Sequence, residues 1–404
     1  MECGLLGRKL GHSYSPEIHR HLGNYRYNLF EVEPEDLECF LQTGSFTGLN
    51  VTMPYKKDVI PFLDELTAEA RRLGAVNTIV RRDGKLIGHN TDYFGFQSMV
   101  AKTGLSPAGK KCLVLGSGGA SNTVCAVLQE LGAKVVVISR SGENNYENLS
   151  LHADASILVN TTPLGMYPNV GNSPVNLAEF PQLEGVLDVV YNPARTQLLL
   201  DAERRGLVNM NGLWMLIAQA KSASEWFTGR SVPDEVIEKI YRIMLAQMQN
   251  IVLIGMPGCG KSTIGRLLAA KTNKIYVDTD EEVVRLANKS IPAIFADDGE
   301  AVFRKLEKQV LQNIGKQSSL IIATGGGCVT REENYPLLHQ NGNIFWIQRN
   351  LEHLATDGRP LSNSGNLAAL YAQRESKYQQ FADYAVNNNG SPEESANAIL
   401  EVFP

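Results

Sequence analysis

The sequence predicts an α/β protein with more than one folded part, and three observations lead to that prediction. Short apolar runs of strand-like composition alternate with amphipathic helical patterns along the chain. Two glycine-rich turns, at 116–121 and 255–263, each follow an apolar run and precede a helical pattern. The length of 404 residues exceeds what one hydrophobic core usually organises. We therefore expect at least two α/β domains.

Composition and charge exclude several classes of function. The chain is 43% hydrophobic and 20% charged with a formal net charge of −5, so it offers no basic field for nucleic acid. No apolar run is long enough for a bilayer, and no signal-type segment opens the chain, which predicts a cytoplasmic protein without a membrane partner. The six cysteines lie far apart and suggest neither a zinc site nor disulfides. Small-molecule substrates are expected, and either a monomer or a homodimer is compatible with the sequence.

The first part of the chain contains two sets of α/β elements. Strand-like runs at 3–6, 28–32, 48–52 and 77–80 alternate with helical patterns at 15–22 and 34–42. A second set begins with a strand at 112–115, the first glycine-rich turn, a helix at about 121–131 and a strand at 134–138. Apolar runs at 156–159 and 185–190 extend it. This βαβ arrangement predicts a Rossmann-like nucleotide-binding domain.

The remaining patterns give the domain boundaries. Residues 213–247 read as helix, broken around 229–233, and a strand begins almost at once at 250. We expect a substrate-binding domain at 1–95 plus 213–247, a Rossmann-like domain at 96–212, and a third domain at 250–404. The third should contain a parallel five-stranded sheet.

The glycine-rich turn of the second set favours a dinucleotide. Gly116-x-Gly118 lets the backbone approach a pyrophosphate at the positive end of the following helix. Alone, it could be a tight turn without a ligand. The next strand ends in Ser139-Arg140-Ser141, where an NAD enzyme usually carries an acid. An arginine at this position suits the 2′-phosphate of NADP.

Further motifs occur in order through the same part of the chain. They are Gly11-His-Ser-Tyr-Ser-Pro16, Gly48-Leu-Asn-Val-Thr-Met-Pro-Tyr-Lys56, Ala75-Val-Asn-Thr78, Gly88-His-Asn-Thr-Asp92, Asn160-Thr-Thr-Pro-Leu-Gly-Met166, Asp188-Val-Val-Tyr-Asn-Pro193 and the stretch 212–220. In this order and spacing they resemble the shikimate dehydrogenase family. The resemblance implies NADPH-dependent reduction of 3-dehydroshikimate to shikimate.

The resemblance also implies roles for individual residues. Lys56 and Asp92 would be the reacting pair, although Lys56 read alone would be a solvated surface lysine. The chemistry is sound, because reducing a ketone builds charge on oxygen that an ammonium can stabilise and protonate, while a carboxylate orients the ammonium. The other assignments are substrate contacts from Ser13, Ser15, Thr52, Asn77 and Gln219, and NADP contacts from Gly116, Ser117, Gly118, Gly119, Ala120, Ser139, Arg140, Asn160, Thr161 and Gly212. Tyr191 either lies near the substrate or nicotinamide, or packs between domains.

The second glycine-rich turn is a P-loop. Gly255-x4-Gly260-Lys261-Ser262 follows the apolar run 250–254 and precedes a helical pattern, the context the motif requires. Its backbone N–H groups and lysine suit phosphates, and its hydroxyl suits Mg²⁺. The ATP-binding residues predicted here are Gly258, Cys259, Gly260, Lys261, Ser262 and Thr263. Asp278 is the second predicted magnesium partner beside Ser262. Read alone, Asp278 or Asp280 could instead cap the helix expected near 281.

Later motifs identify the phosphoryl acceptor. They are Asp278-Thr-Asp280, Phe303-Arg304-x-x-Glu307, Gly325-Gly-Gly327, Arg359-Pro-Leu361 and Arg374-x3-Tyr378. Together they resemble the shikimate kinase family. The resemblance implies that Asp280 binds the attacking hydroxyl and takes its proton, and that Arg304 and Arg374 clamp the substrate carboxylate beside Gly325, Gly326 and Gly327.

The same resemblance places Arg359 on a lid, 356–365, where it would reach the transferring phosphate. This lid carries one arginine where relatives often have two. Arg349 and His353, which precede it, could support adenine contacts and lid closure, but we interpret them as part of a solvated helix face.

The sequence thus predicts a bifunctional enzyme of the shikimate pathway towards chorismate and the aromatic amino acids, using NADP(H), ATP and Mg²⁺. Two alternatives stay open at this point. The first half could prefer quinate, or one half could be a nucleotide-binding regulatory module without chemistry. Against the second alternative, the chain keeps Lys56, Asp92, Lys261, Asp280 and Arg304.

Overall fold

The computed structural model describes residues 1–11, 13–354 and 367–404, and these form two compact units. The first comprises Met1–Gly165, Asn172–Tyr191 and Leu198–Met244. The second comprises Met166–Gly171, Asn192–Gln197 and Leu245–Pro404. The sequence did not predict that 166–171 and 192–197 belong with the C-terminal unit. There the backbone N–H of Arg195 donates to the carbonyl of Gln340 at 2.8 Å.

The first unit begins with a mixed six-stranded sheet. Its strands are β1 (Glu2–Gly7), β2 (Arg26–Glu31), β3 (Gly48–Val51), β4 (Glu65–Leu66), β5 (Thr78–Arg82) and β6 (Lys85–His89), and its helices are α1 (Ser15–Leu22), α2 (Leu37–Thr43), α3 (Ala68–Leu73) and α4 (Asp92–Thr103). The strand order is β2-β1-β3-β5-β6-β4. β1 runs parallel to β2 and β3, whereas β5 is antiparallel to β3 and β6. Sequence analysis missed β4, β6, α3 and α4.

The second sheet of this unit is parallel throughout. Its strands are β7 (Lys111–Leu115), β8 (Lys134–Ile138), β9 (Ile157–Asn160), β10 (Gly185–Asp188) and β11 (Val208–Met210). Helix α5 (Gly119–Glu130) connects β7 to β8, and α6 (Gln197–Arg204) lies between β10 and β11 in the chain. The order β11-β10-β9-β7-β8 is doubly wound, because the chain leaves β7 and β9 in opposite directions. Ligands of such sheets bind at the carboxyl ends of the strands at this switch point.

Two helices, α7 (Leu213–Thr228) and α8 (Glu235–Met248), follow the parallel sheet. α7 packs back on the first sheet, where Phe227 joins a buried cluster with Cys3 and Val80. α7 also crosses α4 closely at Gly95. A β-carbon at Gly95 would lie 2.7 Å from the carbonyl oxygen of Met215, so this approach requires a residue without a side chain. The crossing brings part of α7 to the first sheet's site.

The second unit contains the predicted parallel five-stranded sheet. Its elements are β12 (Asn250–Ile254), α9 (Lys261–Thr272), β13 (Ile275–Asp278), α10 (Thr279–Ala287), α11 (Ile291–Asp297), α12 (Glu300–Ile314), β14 (Leu320–Ala323), α13 (Tyr335–His339), β15 (Gly342–Gln348), α14 (Leu367–Phe381), β16 (Tyr384–Asn387) and α15 (Pro392–Val402). The order is β13-β14-β12-β15-β16. The central strand β12 is fully buried, which explains its uninterrupted apolar run.

The predicted α/β fold class is confirmed in both units. Short 3₁₀ turns connect several elements, at Pro34–Asp36, Ile60–Phe62, Leu149–His152, Leu177–Glu179, Cys328–Thr330, Glu332–Asn334 and Leu351–His353. Among the residues that the structure describes, no helix combines the length and apolar character that crossing a membrane needs.

Candidate active sites

The reacting pair predicted in the first unit is in direct contact. The ammonium of Lys56 donates to the carboxylate of Asp92, with Nζ 2.6 Å from Oδ2. Lys56 lies in the turn after β3, which the buried ring of Tyr55 anchors by donating from its hydroxyl to the carbonyl of Val32. Asp92 is the first residue of α4, where the helix dipole favours a carboxylate. The side chains of the pair are 26% and 14% exposed, so a ligand can reach them while water screens them only partly.

A buried amide network adjoins this pair. The side-chain oxygen of Asn77 accepts from the backbone N–H of Thr91 at 2.6 Å, and its Nδ2 donates to Thr91 Oγ1 at 3.0 Å. Gln219 reaches in from α7, and its Oε1 accepts from Asn77 Nδ2 at 3.4 Å and from Thr91 Oγ1 at 3.3 Å. The network therefore fixes the start of α4, immediately before Asp92. Sequence analysis named Asn77 and Gln219 but missed Thr91.

The remaining predicted substrate residues lie in segments that follow strands: Ser13 and Ser15 follow β1, Thr52 follows β3, and Tyr191 follows β10 of the parallel sheet. Ser15 begins α1, and its backbone N–H donates to Ser13 Oγ at 3.2 Å. Thr52 follows β3, and its N–H donates to a carbonyl of β1 at 2.9 Å. The ring of Tyr191 meets Tyr14 edge-on at a centroid distance of 6.0 Å, and burial raises the pKa of its phenol. Tyr191 thus packs against Tyr14, which lies between Ser13 and Ser15 in the chain.

The glycine-rich turn of the parallel sheet lies at the switch point between β7 and β9. Gly116 has a φ of 107°, and a β-carbon there would lie 2.8 Å from Thr161 Oγ1. The hydroxyl of Thr161 in turn donates to the carbonyl of Leu115 at 2.6 Å. At Gly118 and Gly119, which open α5, a β-carbon would meet nothing within 4 Å. The backbone face at this helix N-terminus is therefore open to an anion such as a pyrophosphate.

Other predicted cofactor residues brace this edge of the sheet. Asn160 donates from Nδ2 to Asp188 at 2.9 Å, and its Oδ1 accepts from the backbone N–H of Thr162 at 3.0 Å. Both Asn160 and Asp188 are fully buried, so Asn160 holds the ends of β9 and β10 together. A β-carbon at Gly212 would lie 2.0 Å from the carbonyl oxygen of Val189. Close packing alone therefore requires glycine at 212.

Ser139 and Arg140 follow β8, the strand beside β7. The backbone N–H of Ser139 donates to the carbonyl of Asn144 at 3.1 Å, which shapes the loop. Arg140 is exposed at the same carboxyl edge of the sheet as the glycine-rich turn. Ser117 is also exposed, and Ala120 is half-buried in the first turn of α5. This edge of the sheet thus exposes the guanidinium of Arg140, where the sequence predicts the 2′-phosphate of NADP.

In the second unit, the P-loop lysine folds back onto its own loop. Lys261 is buried, and its Nζ donates to the carbonyls of Gly255 at 2.9 Å and Met256 at 3.0 Å. The side chain of Cys259 is buried beneath the loop, with its sulfur 3.8 Å from the same Nζ. Lys261 is thereby held at the N-terminus of α9, where backbone N–H groups favour an anion.

The predicted magnesium residues are hydrogen-bonded to each other. Ser262 Oγ and the hydroxyl of Tyr276 each donate to Asp278 Oδ2 at 3.1 Å. Burial raises the pKa of Tyr276 to about 12, so it remains a donor. The other oxygen of Asp278 accepts from the N–H of Asp280 at 3.0 Å and caps α10. Asp278 therefore caps the helix and also presents oxygen beside Ser262, the donor type Mg²⁺ prefers.

The acceptor end of the site holds two buried arginines. Arg304 donates from Nη1 to Glu307 Oε2 at 2.9 Å and from Nη2 to Glu300 at 3.1 Å. Arg374 donates from Nη1 to the carbonyl of Gly326 at 3.1 Å. Burial raises the pKa of Glu307, and the charge of Arg304 opposes that rise. The two guanidinium groups thus stand at the same glycine segment.

Asp280, the predicted general base, lies at the same glycine segment as the arginines. A β-carbon at Gly325 would lie 2.5 Å from Asp280 Oδ1, and one at Gly327 would lie 2.5 Å from Arg304 Nη2. The hydroxyl of Tyr378 donates to the carbonyl of Gly326 and holds the segment from the other side. Tyr378 had been noted in the arginine motif without a role. The carboxylate of Asp280 and the guanidinium of Arg304 therefore face the same short backbone run.

One cavity of about 610 Å³ joins the nucleotide and acceptor ends. Its lining combines P-loop and acceptor residues, including Gly258, Gly260, Lys261, Ser262, Thr263, Asp278, Asp280, Arg304, Gly325, Gly326, Gly327 and Arg374. The volume suits a small-molecule site. The predicted catalytic Arg359 and its lid, 356–365, lie outside the described residues. Among those that are described, no group of three or more His, Cys, Asp or Glu is arranged to hold a metal ion, so Mg²⁺ here would rely on phosphate oxygens as well.

The interpretation of Arg349 as part of a solvated face was wrong. Arg349 lies directly after β15, half-buried, and lines the same cavity. His353 does lie at the surface, with a side chain 50% exposed, in the 3₁₀ turn Leu351–His353. No periodic signal marks Arg349, because its position depends on the neighbouring strand rather than on a helix face.

Two family models match this chain. Residues 5–79 match the shikimate dehydrogenase substrate binding domain, and residues 257–404 match shikimate kinase. Among curated relatives, the shikimate dehydrogenase (NADP(+)) of Clostridium perfringens strain ATCC 13124 is 38% identical over 264 residues, which is 59% of this chain and 96% of that protein. The corresponding enzyme of Bacillus cereus strain B4264 is 36% identical over 270 residues, covering 59% of this chain and 98% of that protein.

Solved structures agree with the dehydrogenase matches. A chorismate mutase/shikimate 5-dehydrogenase fusion protein from Clostridium acetobutylicum superposes with a TM-score of 0.58 and 35% identity, covering 60% of this chain and 96% of that one. Shikimate 5-dehydrogenase from Thermus thermophilus, in complex with NADP(H) and shikimate, gives a TM-score of 0.55 at 30% identity, covering 60% and 99%.

Proposed function

The chain belongs to the shikimate dehydrogenase family in its N-terminal part and carries a shikimate kinase domain in its C-terminal part, and from this premise we propose that it catalyses two consecutive reactions. The first reduces 3-dehydroshikimate with NADPH and a proton to shikimate and NADP⁺. The second transfers the γ-phosphoryl group of ATP to the 3-hydroxyl of shikimate, giving shikimate 3-phosphate and ADP. Two observations support the proposal: Lys56 contacts Asp92 at 2.6 Å in the first unit, and in the second unit Asp280 and Arg304 face one glycine segment in the cavity that Lys261 also lines.

In the reductase, Lys56 is the proton donor. NADPH, when bound, supplies hydride to the ring carbonyl carbon. The carbonyl oxygen gains negative charge as this occurs, and the ammonium of Lys56 stabilises that charge and passes a proton to it. Asp92, 2.6 Å from Nζ, orients the ammonium and accepts from a ring hydroxyl.

The polar groups around the pair select the ring acid. Ser13 and Ser15 donate to the substrate carboxylate, and Thr52, Asn77 and Gln219 bind ring hydroxyls. The network that ties Asn77 and Gln219 to Thr91 supports this assignment, since amides held on one side present their remaining polar groups in a defined direction. Tyr191 closes the serine side through its contact with Tyr14.

NADP(H) fits the carboxyl edge of the parallel sheet. Gly116, Ser117, Gly118, Gly119 and Ala120 would approach the pyrophosphate through their backbone, with Ser139 and Arg140 at the 2′-phosphate. Asn160, Thr161 and Gly212 maintain the loop packing that leaves this edge open.

In the kinase, Asp280 is the general base for the attacking 3-hydroxyl. Arg304 and Arg374 hold the substrate carboxylate at Gly325, Gly326 and Gly327, and guanidinium forks match carboxylates in geometry and charge. Lys261 and the backbone from Gly258 to Thr263 bind the ATP phosphates. Mg²⁺ would be held by Ser262 and, through water, by Asp278, and it neutralises phosphate charge when bound. Arg359 completes the site as a cation at the transferring phosphate.

Several finer assignments are part of the same proposal. The substrate-binding domain comprises 1–95 and 213–247, the NADP-binding domain 96–212, and the kinase domain 250–404. The protein acts in the cytoplasm on small molecules, as a monomer or a homodimer, without nucleic acid or membrane partners.

One assay tests both reactions. NADPH consumption is followed with 3-dehydroshikimate, with and without ATP, and the products are identified as shikimate and shikimate 3-phosphate. Quinate with NADP⁺, compared with shikimate, separates the quinate alternative. A wild-type protein that binds both nucleotides yet forms neither product would refute the proposal.

A further inference from the structure

An arginine in the kinase cavity has no role in the reactions as assigned so far. Arg349 follows β15, whose carboxyl end lies beside that of the P-loop strand β12, with Ile254 paired to Trp346. Parallel neighbours therefore bring the residue after β15 to the edge where the P-loop begins. Arg349 lines the cavity together with the P-loop residues.

The guanidinium of Arg349 lies at the N-terminus of α9. Its Nη1 is 3.9 Å from the position a β-carbon would take at Gly260, the residue that precedes the helix. Asn388 stands on the same side, with Nδ2 donating to the carbonyl of Cys259 at 2.7 Å, and so fixes this edge of the loop. The unpaired N–H groups and the dipole of α9 favour negative charge at this point.

The charge of Arg349 is not matched by the protein in the part of the chain that the structure describes. Its side chain makes no ion pair or hydrogen bond there, and its Nε is buried without a partner. Two acidic groups of the cavity have other partners, since Asp278 accepts from Ser262 and Glu307 from Arg304. A half-buried cation without a partner is costly, and an anionic ligand in the cavity would remove that cost.

We propose that Arg349 binds the phosphates of the nucleotide in the kinase site, as a second cation beside Lys261. The proposal rests on the proposed kinase function and adds a residue to its nucleotide end. Arg349 is a binding residue here. Its planar guanidinium can form two parallel hydrogen bonds to one phosphate, a fork geometry that the ammonium of a lysine lacks.

The test compares Arg349→Ala with Arg285→Ala in the full chain. Arg285 is an exposed arginine of α10 that pairs with Glu282, away from the P-loop. Calorimetry measures Kd for ADP and for inorganic tripolyphosphate, and KM is measured for ATP and shikimate. We expect Arg349→Ala to raise the Kd for ADP and for tripolyphosphate about 10–100-fold. The Kd values of Arg349→Lys should lie between those of Arg349→Ala and the wild type, and those of Arg285→Ala should equal the wild-type values.

The outcomes separate the alternatives. Unchanged binding of ADP in Arg349→Ala would overturn the inference. If Arg349→Ala lost ADP binding but bound tripolyphosphate as the wild type does, Arg349 would contact the adenine or ribose, and the phosphate contact would be refuted. A raised KM for shikimate with intact nucleotide binding would place it at the acceptor end and refute it as well. The thermal unfolding of the same variant, compared with that of the wild type, checks folding of the unit that contains Arg349. If the wild type bound nucleotide through Arg349 but phosphorylated no shikimate, the proposed kinase function would fail while this inference stood.

Discussion

Replacing Lys56 tests the reductase chemistry most directly. In Lys56→Ala the proton donor is lost, and general acid catalysis by a positioned side chain contributes about 10²–10⁴-fold in rate, or about 2.7–5.5 kcal/mol. Folding should hardly change, because the partly exposed pair with Asp92 stabilises the fold by only about 0–1 kcal/mol. The expected result is therefore a fall of at least about 100-fold in kcat/KM for 3-dehydroshikimate with little change in Tm.

Three comparisons make this result specific. Lys57 is the exposed neighbour in sequence, and Lys57→Ala should behave as the wild type does. Lys56→Arg keeps the charge but cannot release a proton near neutral pH, so it should recover little activity. Phosphorylation of added shikimate by Lys56→Ala should equal that of the wild type. If Lys56→Ala kept more than about a tenth of the reductase kcat/KM, the ammonium could not be the proton donor.

Three further predictions follow from other contacts. Asp280→Asn should lower the kinase kcat about 100-fold or more and spare NADPH consumption, and equal loss of both activities would contradict its role as base. Gly95→Ala should destabilise the first unit by about 1–3 kcal/mol in urea unfolding and lower reductase kcat/KM, because its methyl group would force α7 and Gln219 away from α4. Burial lowers the pKa of His19 from 6.5 to about 3, so its neutral ring contributes stability that is present above pH 6.5 and lost as the pH falls towards 3. His19→Phe keeps the stacking on Tyr27 and should lose less stability on acidification, by up to about 1.4 kcal/mol per pH unit, and parallel loss in both proteins would refute this.

Local patterns predicted much of the fold. Helix α1 and strands β8 and β12 begin and end where the sequence placed them. Their signals depend on residues close in the chain, namely side-chain periodicity and the turn residues that flank each run. β6 and α4 were not predicted, because the motif at 88–92, where β6 ends and α4 begins, drew attention to polar site residues rather than to side-chain periodicity.

The sequence predicted which residues belong to the candidate sites, but not which of them contact one another. The sequence named Asn77 and Gln219, yet only the crossing of α7 over α4 brings these residues, 142 positions apart, within hydrogen-bonding distance. Similarly, Gly212 was assigned to the cofactor, and the structure adds a packing reason, since the carbonyl of Val189 fills the space of a side chain.

By itself, the amino-acid sequence determined the two glycine-rich turns, the alternation of strands and helices, and the residue types each reaction needs. Tertiary structure decided which charges are matched. Asp278 both caps a helix and faces Ser262, Arg304 pairs with Glu307, and Arg349 lines the cavity with no protein partner among the described residues. The physical reason is that secondary structure follows from local periodicity, whereas the burial and pairing of a charge depend on side chains that packing brings together from distant strands.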